Sequence, residues 1–271
     1  MTEIRVMGAL APKYDARDYS VAAMAGEYPE SYELPWRPSI KNQGSVGSCV
    51  AHATSEILEY FNKQEANITD PLSTDFIYGM QGVAFGRRES GMFLRDACKI
   101  AQQYGDCYKS TINTNTEQPK CTDKLEKTLT DEIYSEALNF RTQSYAQCKN
   151  DKAIKHALLN YGPVLASIKW YDEYQIDTNG VLHFDTNTDN GYHAIMVYGW
   201  NKDGWLCQNS WGNFWGRQGT FILPYEAGFR EAWSFVDAQN SDITVPVKRN
   251  WLNILYKAFN FIVNFFKRLL P

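Results

Sequence analysis

A thiol placed in the first turn of a helix faces unpaired backbone N–H groups and the positive end of the helix dipole, and both favour the thiolate, the reactive form of cysteine. The segment Lys41-Asn42-Gln43-Gly44-Ser45-Val46-Gly47-Ser48-Cys49-Val50-Ala51 leads through small, flexible residues straight into such a helix. Gly44 and Gly47 allow the backbone to turn tightly and a substrate to come close. Gln43 carries side-chain N–H donors that, beside the backbone N–H of Cys49, suit an oxyanion. Taken alone, the segment favours chemistry over its alternative, a buried cysteine behind a loop.

A thiolate nucleophile needs a proton acceptor, and the chain has four histidines. His52 follows Cys49 by one helical turn and reads as a polar residue at a boundary. His156 lies among Lys155 and Asp151 on a helix expected to be solvated, and His183 follows the Asn179-Gly180 turn on a surface strand. His193 differs, because Asn190-Gly191-Tyr192 delivers it from a loop into the apolar run Ala194-Ile195-Met196-Val197-Tyr198. It is either a satisfied structural histidine or a functional one. Further on, Trp205-Leu206-Cys207 runs into Gln208-Asn209-Ser210-Trp211-Gly212-Asn213-Phe214-Trp215-Gly216. An amide at a strand end can accept the imidazole N–H, fix the ring and leave its other nitrogen toward a sulfur, while Trp211 excludes water from that bond. The alternative is a Gly/Trp-rich turn that fills a hairpin.

The elements that must carry these residues change character along the chain. An irregular arm rich in Pro and Tyr occupies residues 1–38. Val50, Ala53, Thr54, Ile57, Leu58 and Phe61 then recur at three and four, predicting a helix from Cys49 to Lys63. A second helix is predicted from Met92 to Tyr104, stopped by Gly105. Cys107 to Gln147 reads as polar and irregular, after which Asp151 caps a short helix closed by Gly162-Pro163. Val164 to Ile168, His193 to Trp200, Trp205 to Asn209, Thr220 to Leu223 and Trp233 to Val236 read as antiparallel strands. A helical half followed by a strand-rich half argues for an α+β chain with two lobes.

Taken together, the segments around Cys49, Gly191-Tyr192-His193-Ala194 and Asn209-Ser210-Trp211-Gly212 with Trp215-Gly216 resemble the papain family of cysteine peptidases. The resemblance extends from about Leu34 to Val236. It implies a helical left lobe over residues 39–140 and a β-rich right lobe over residues 141–240, with the cleft between them. It further implies Cys49 as nucleophile, His193 as general base and acid, Asn209 as the group orienting His193, and Gln43 as oxyanion-hole donor. The sulfur and the ring would form a thiolate–imidazolium pair. Met92, Phe93, Ser167 and Gly191 align with the pocket for the side chain before the scissile residue and imply an apolar occupant, with Trp211 beside them. No cofactor or metal is implied, and the partner is a peptide or protein substrate. Val46 stands where the family usually has a disulfide cysteine, Val50 replaces an aromatic residue, and the Cys and paired glycines expected near Arg87 to Met92 are reduced to Gly91. The arm with Tyr14-Asp15-Ala16-Arg17-Asp18-Tyr19 resembles the short leader of bacterial and phage-type members, so latency by a cleavable pro-domain is not expected.

The composition narrows the remaining classes. With 27 basic and 31 acidic residues, nothing suggests nucleic acid as a partner. The first residues hold no continuous apolar stretch suited to a secretory signal peptide, so a cytoplasmic location is expected. Cys49, Cys98, Cys107, Cys121, Cys148 and Cys207 contain no CxxC pair, which argues against structural zinc. Cys98 and Cys207 read as buried thiols, and any bridge among the other three is disfavoured in a reducing compartment. Residues 241–271 read as a basic amphipathic C-terminal helix with Lys248, Arg249, Lys257, Lys267 and Arg268, suited to an anionic membrane surface or a protein partner, or else packed on the domain. Two other functions remain open: a transpeptidase or ligase using the same three residues, and a non-catalytic scaffold that binds peptide or membrane.

Overall fold

A computed structural model describes residues 5–22, 27–185 and 189–236, all within one compact unit, Met1–Ser241. The expected C-terminal helix, with its membrane or partner role, falls outside the described residues. Among those described, no helix is long and apolar enough to cross a membrane.

The helical part is built on α1 (Cys49–Ala66), whose residues from Cys49 to Asn62 are all buried. Its apolar positions match the predicted stripe, and its buried carboxylates and hydroxyls are given partners, as a low-dielectric interior requires, while Asn62 Nδ2 is left without one. Ser55 Oγ donates to Asp106 Oδ2 at 2.8 Å, and Glu59 accepts from Lys41 Nζ at 2.6 Å and Leu72 N at 2.7 Å. Asn67 ends the helix in the left-handed region, φ 56°, returning its N–H to the last carbonyls. Around α1 lie α2 (Thr74–Phe85) and α3 (Leu94–Gln103), the latter matching the second predicted helix and stopping before Gly105, whose φ is 75°.

The stretch from Cys107 to Gln147 is more ordered than its composition suggests. It holds α4 (Lys120–Thr128) and α5 (Asp131–Ala137) and ends in β2 (Ser144–Gln147). Few of its residues are apolar because α4 buries only Cys121, Thr122 and Leu125. The helix α2 also escaped the pattern, since Gly79 and Gly82 interrupt it. Those glycines serve packing: a Cβ at Gly82 would lie 2.3 Å from the Thr122 side chain. Backbone of α2 and side chains of α4 therefore meet directly. Ser73 starts α2 by accepting from Phe76 N at 3.1 Å.

After α6 (Asp151–Asn160), capped by Asn150 rather than Asp151, come β3 (Val164–Tyr171), β4 (Tyr174–Ile176), β5 (Leu182–Phe184), β6 (Asp189–Asn201), β7 (Gly204–Gln208), β8 (Thr220–Leu223) and β9 (Glu231–Val236). Five of them pair antiparallel with β2 in the order β2-β9-β3-β6-β7-β8, while β4 and β5 form a separate hairpin. The arm adds a short strand, β1 (Tyr32–Glu33), against Trp200 and Gly199 of β6. Alternation along β3 and β6 divides the core into two. Leu165, Ala194 and Met196 face α1, whereas Val164, Ala166, Ile168, Ile195 and Val197 join the core that contains α6 and the buried Trp170, Trp200 and Trp205. The chain thus has a mixed α+β architecture in which one sheet face receives the long buried helix.

Candidate active site

Cys49 is the first residue of α1 and is fully buried. The preceding Ser48 does not cap the helix with its side chain; its hydroxyl turns to His52 Nδ1 at 3.2 Å. The N–H groups at this end are therefore left to the sulfur and its surroundings. Ala194 N donates to Cys49 Sγ at 3.4 Å across the cleft, joining the helix start to the residue that follows His193.

His193 is carried by β6, opposite Ile168 of β3, and is also fully buried. Its Nε2 donates to Asn209 Oδ1 at 2.7 Å, from the loop that leaves β7. Trp211 lies over the ring with centroids 4.6 Å apart, and Trp170 meets its edge at 5.3 Å. Nδ1, the other ring nitrogen, is buried with no hydrogen-bond partner. An imidazole with one nitrogen pinned and the other free can relay a proton to and from a thiol within its reach. Gln43 is also buried, its Oε1 accepting from Ser210 Oγ at 2.6 Å so that Nε2 is aimed back toward the start of α1. The structure brings Cys49, His193, Asn209 and Gln43 into one place.

The site is covered by the chain's own arm. Arg5 lies over the Trp211 ring with its guanidinium carbon 4.5 Å from the centroid, and Val6 O accepts from Gln43 Nε2 at 3.2 Å. The Gly8 backbone N–H reaches the Cys49 sulfur. Gly8 O accepts from Met92 N at 2.8 Å, Leu10 N donates to Met92 O at 3.0 Å, and Ala9 N donates to Tyr192 O at 3.1 Å. Only glycine fits at this crossing, because a Cβ at Gly8 would lie 2.1 Å from Gly47 O. Further along, Lys13 Nζ lies over the Phe93 ring at 4.5 Å, and Asp18 pairs with Arg95. The arm that the sequence presented as a short leader thus lies against Cys49, Gln43 and Trp211. Composition alone could not reveal it, since Arg5, Val6 and Gly8 form no motif and matter only through where they dock.

The cover also sets the electrostatics. Burial pushes the Cys49 thiol up to about 11, against the pull of the N–H groups of Ala194, Gly8 and Val50. Burial lowers His193 to about 4, opposed by its bond to Asn209 and reinforced by the positive charge of Arg5. With the arm seated, burial opposes the charged form of each group, whereas the sequence resemblance implies an ion pair. The physical reason is exclusion of water from both groups.

The remaining residues singled out in the sequence divide. Met92 offers its backbone N–H and C=O to the arm, so it is an edge for extended chain as well as a wall. Gly191 borders the arm at Met7, whose Cβ lies 3.9 Å from where a Gly191 Cβ would be. Ser167 Oγ and, across the β3–β9 register, Glu231 Oε1 are buried without partners, so the region read as apolar carries polar groups. Phe93 stacks with Lys13 and Arg87. His52 is a buried structural residue, bonded to Ser48 O at 3.0 Å and lowered to about 3 by burial. His156, expected on a solvated face, is instead buried edge-on against Tyr161. His183 is exposed, with Nε2 3.3 Å from Asp177 Oδ2. All six cysteines are free, and Cys107, Cys121 and Cys148 are buried despite their polar sequence surroundings.

Comparison with known proteins agrees with this arrangement. The model of the family described as "Papain family cysteine protease" matches residues 33–230. A cathepsin B-like cysteine proteinase of Caenorhabditis elegans is 25% identical over 254 residues, covering 82% of this chain and 65% of that protein. Cathepsin B-like cysteine proteinase 1 of Haemonchus contortus is 32% identical over 124 residues, which is 44% of this chain and 34% of the relative. The chain thus spans from a third to two thirds of the length of these relatives. Among solved structures, the fold is similar to xylellain, a cysteine protease from Xylella fastidiosa, with TM-score 0.72, 21% identity, and coverage of 88% of this chain and 98% of that one. It is also similar to procathepsin B S9 from Trypanosoma congolense, with TM-score 0.65, 18% identity and 86% coverage of both chains. With the family model spanning most of the compact unit and both cleft walls, this chain belongs to the papain family of cysteine proteases.

Proposed function

We propose that the chain hydrolyses peptide bonds through an acyl-enzyme on Cys49, with His193 moving the proton and Asn209 holding His193 in place. One observation carries this reading: His193 Nε2 is fixed to Asn209 Oδ1 at 2.7 Å, while its buried Nδ1 has no partner. In the first step the sulfur bonds to the substrate carbonyl carbon, and the thiol proton passes through His193 to the departing amine as the C–N bond breaks. The transient oxyanion takes hydrogen bonds from the backbone N–H of Cys49 and from Gln43 Nε2, the donor now occupied by Val6 O. Water, deprotonated by His193, then attacks the thioester carbonyl and frees the acid and the thiol.

The arm is a cover and not a substrate poised for cleavage. Cys49 meets the arm at the Gly8 backbone N–H. Turnover therefore requires the arm to leave. Its departure readmits water to both groups and removes the Arg5 charge from His193, and each change favours the ionised pair.

The test uses the full chain with Gly8→Ala, whose added methyl collides with Gly47 O and expels the arm. This variant should cleave peptides from an unfolded-protein digest, read by mass spectrometry, and Cys49→Ala in the same background should cleave none. Equal cleavage by both would assign the chemistry to another group.

A further inference from the structure

All six thiols are free, so no covalent link ties the loop before the nucleophile to the loop that pairs with chain in the cleft. A carboxylate stands between them. Glu117, on the loop ahead of α4, accepts from Gly47 N at 2.8 Å through Oε2. Its Oε1 accepts from Tyr78 Oη at 2.6 Å, Ser90 Oγ at 3.0 Å and its neighbour Gln118 N at 3.1 Å. Tyr78 extends the link by accepting from Gly91 N at 3.1 Å, and Gln81 Nε2 holds Gly91 O at 3.0 Å. The two loops are in close approach, for a Cβ at Gly47 would lie 2.9 Å from Ser90 Oγ. One loop ends in Cys49; the other continues into Met92, the edge that bonds to Gly8 and Leu10.

From this geometry we infer that Glu117 is a positioning residue for substrate binding, fixing the separation between the nucleophile loop at Gly47 and the Gly91–Met92 edge. The inference rests on the peptidase reading above. The carboxylate is suited to the task because it is an acceptor only, so every donor around it is satisfied at once. Burial works against its charge, and the bonds from Tyr78, Gly47 and Ser90 outweigh that, holding the group below the usual carboxylate range. Glutamine has the same size but would turn an NH2 group toward one of these donors, and the buried Gly47 N–H is the one with no substitute. The effect on chemistry should be indirect, since Glu117 contacts neither Cys49 nor His193.

The test compares Glu117→Gln with its parent in full-length Gly8→Ala chain, measuring peptide kcat and KM together with the rate at which iodoacetamide alkylates Cys49. Iodoacetamide reports the sulfur and His193 without using the Met92 edge. Expected is a rise in KM of about tenfold, with kcat and alkylation changed by less than about threefold. Hydrogen exchange of the original chain supplies a second readout that needs no turnover: Glu117→Gln should speed exchange at Gly91 and Met92 and leave the C-terminal half of α1 unchanged. An unchanged KM, a parallel fall in alkylation, or unaltered exchange at Gly91 and Met92 each overturns the assignment. Failure of Gly8→Ala itself to cleave any peptide, with the exchange change present, would instead count against the peptidase reading and leave the tether intact.

Discussion

The two walls of the cleft are held by different kinds of force. The wall that presents Cys49 is fixed by buried polar groups: Glu59 with Lys41, Ser55 with Asp106, and Glu117 with Gly47 and Tyr78. The wall that presents His193 is fixed by sheet register and aromatic packing. There Trp170 touches the rings of Tyr174, Phe184, His193, Trp211, Trp215 and Phe221. The contrast has a physical meaning. Apart from His193 itself, the rings that hold the imidazole carry no charge to gain or lose near neutral pH, whereas the sulfur side is held by carboxylates and a lysine. The arm spans both, with Arg5 on the aromatic wall and Gly8 and Leu10 on the hydrogen-bonded one.

The largest effect should come from taking the reactive group off the aromatic wall. His193→Ala in the Gly8→Ala chain should lower peptide kcat/KM by roughly 10²–10⁴-fold while circular dichroism and melting stay near those of the parent. A loss of fold instead would mean that the ring is needed for packing as much as for proton transfer. Next, Trp170→Ala should cost about 3–5 kcal/mol of unfolding free energy, because its ring is 1% exposed and no neighbour can fill its place. Denaturant melts at pH 8, where His193 is neutral in both the folded and the unfolded chain, should show this loss; a loss below about 1 kcal/mol would mean that the wall is not held by this ring.

The helical wall should respond to pH. Burial raises Glu56 from 4.5 to about 8, with Lys41 pulling the other way. Between those values the native chain keeps a proton that the unfolded chain has released, so stability is full below pH 4.5 and falls as pH rises toward 8. Glu56→Gln keeps the shape and has no proton to lose. Its unfolding free energy should match the parent near pH 4.5 and exceed it by roughly 4–5 kcal/mol at pH 9. Parallel stability curves for the two proteins would show that Glu56 stays ionised in the fold.

How much of this was readable beforehand follows the same division. The strands of the aromatic wall announced themselves through alternating apolar runs, and His193 and Asn209 stood out because each lies where such a run meets a loop. The helix behind Cys49 was visible for its apolar stripe, although the stripe gave no hint that its polar side is buried too. What stayed hidden depends on long-range partners. Gly79 and Gly82 look like helix breakers until Leu125 and Thr122 are seen packed against them. Glu117 sits in a polar stretch that reads as loop, and only the approach of Gly47 and Ser90 gives it a purpose. The docking of the arm was unreadable for the same reason. Local periodicity reports which face is buried and is silent on what a backbone amide will touch.

The account turns on a sulfur that His193 activates and the arm conceals. Its most direct measurement is labelling of the full chain with an epoxysuccinyl thiol probe, with the modified residue mapped by mass spectrometry in the original sequence, in Gly8→Ala, and in Gly8→Ala with His193→Ala. The account predicts slow labelling of the first, labelling at least about tenfold faster and confined to Cys49 in the second, and a return to slow labelling in the third. Equal rates in all three, or modification of another cysteine, would contradict it.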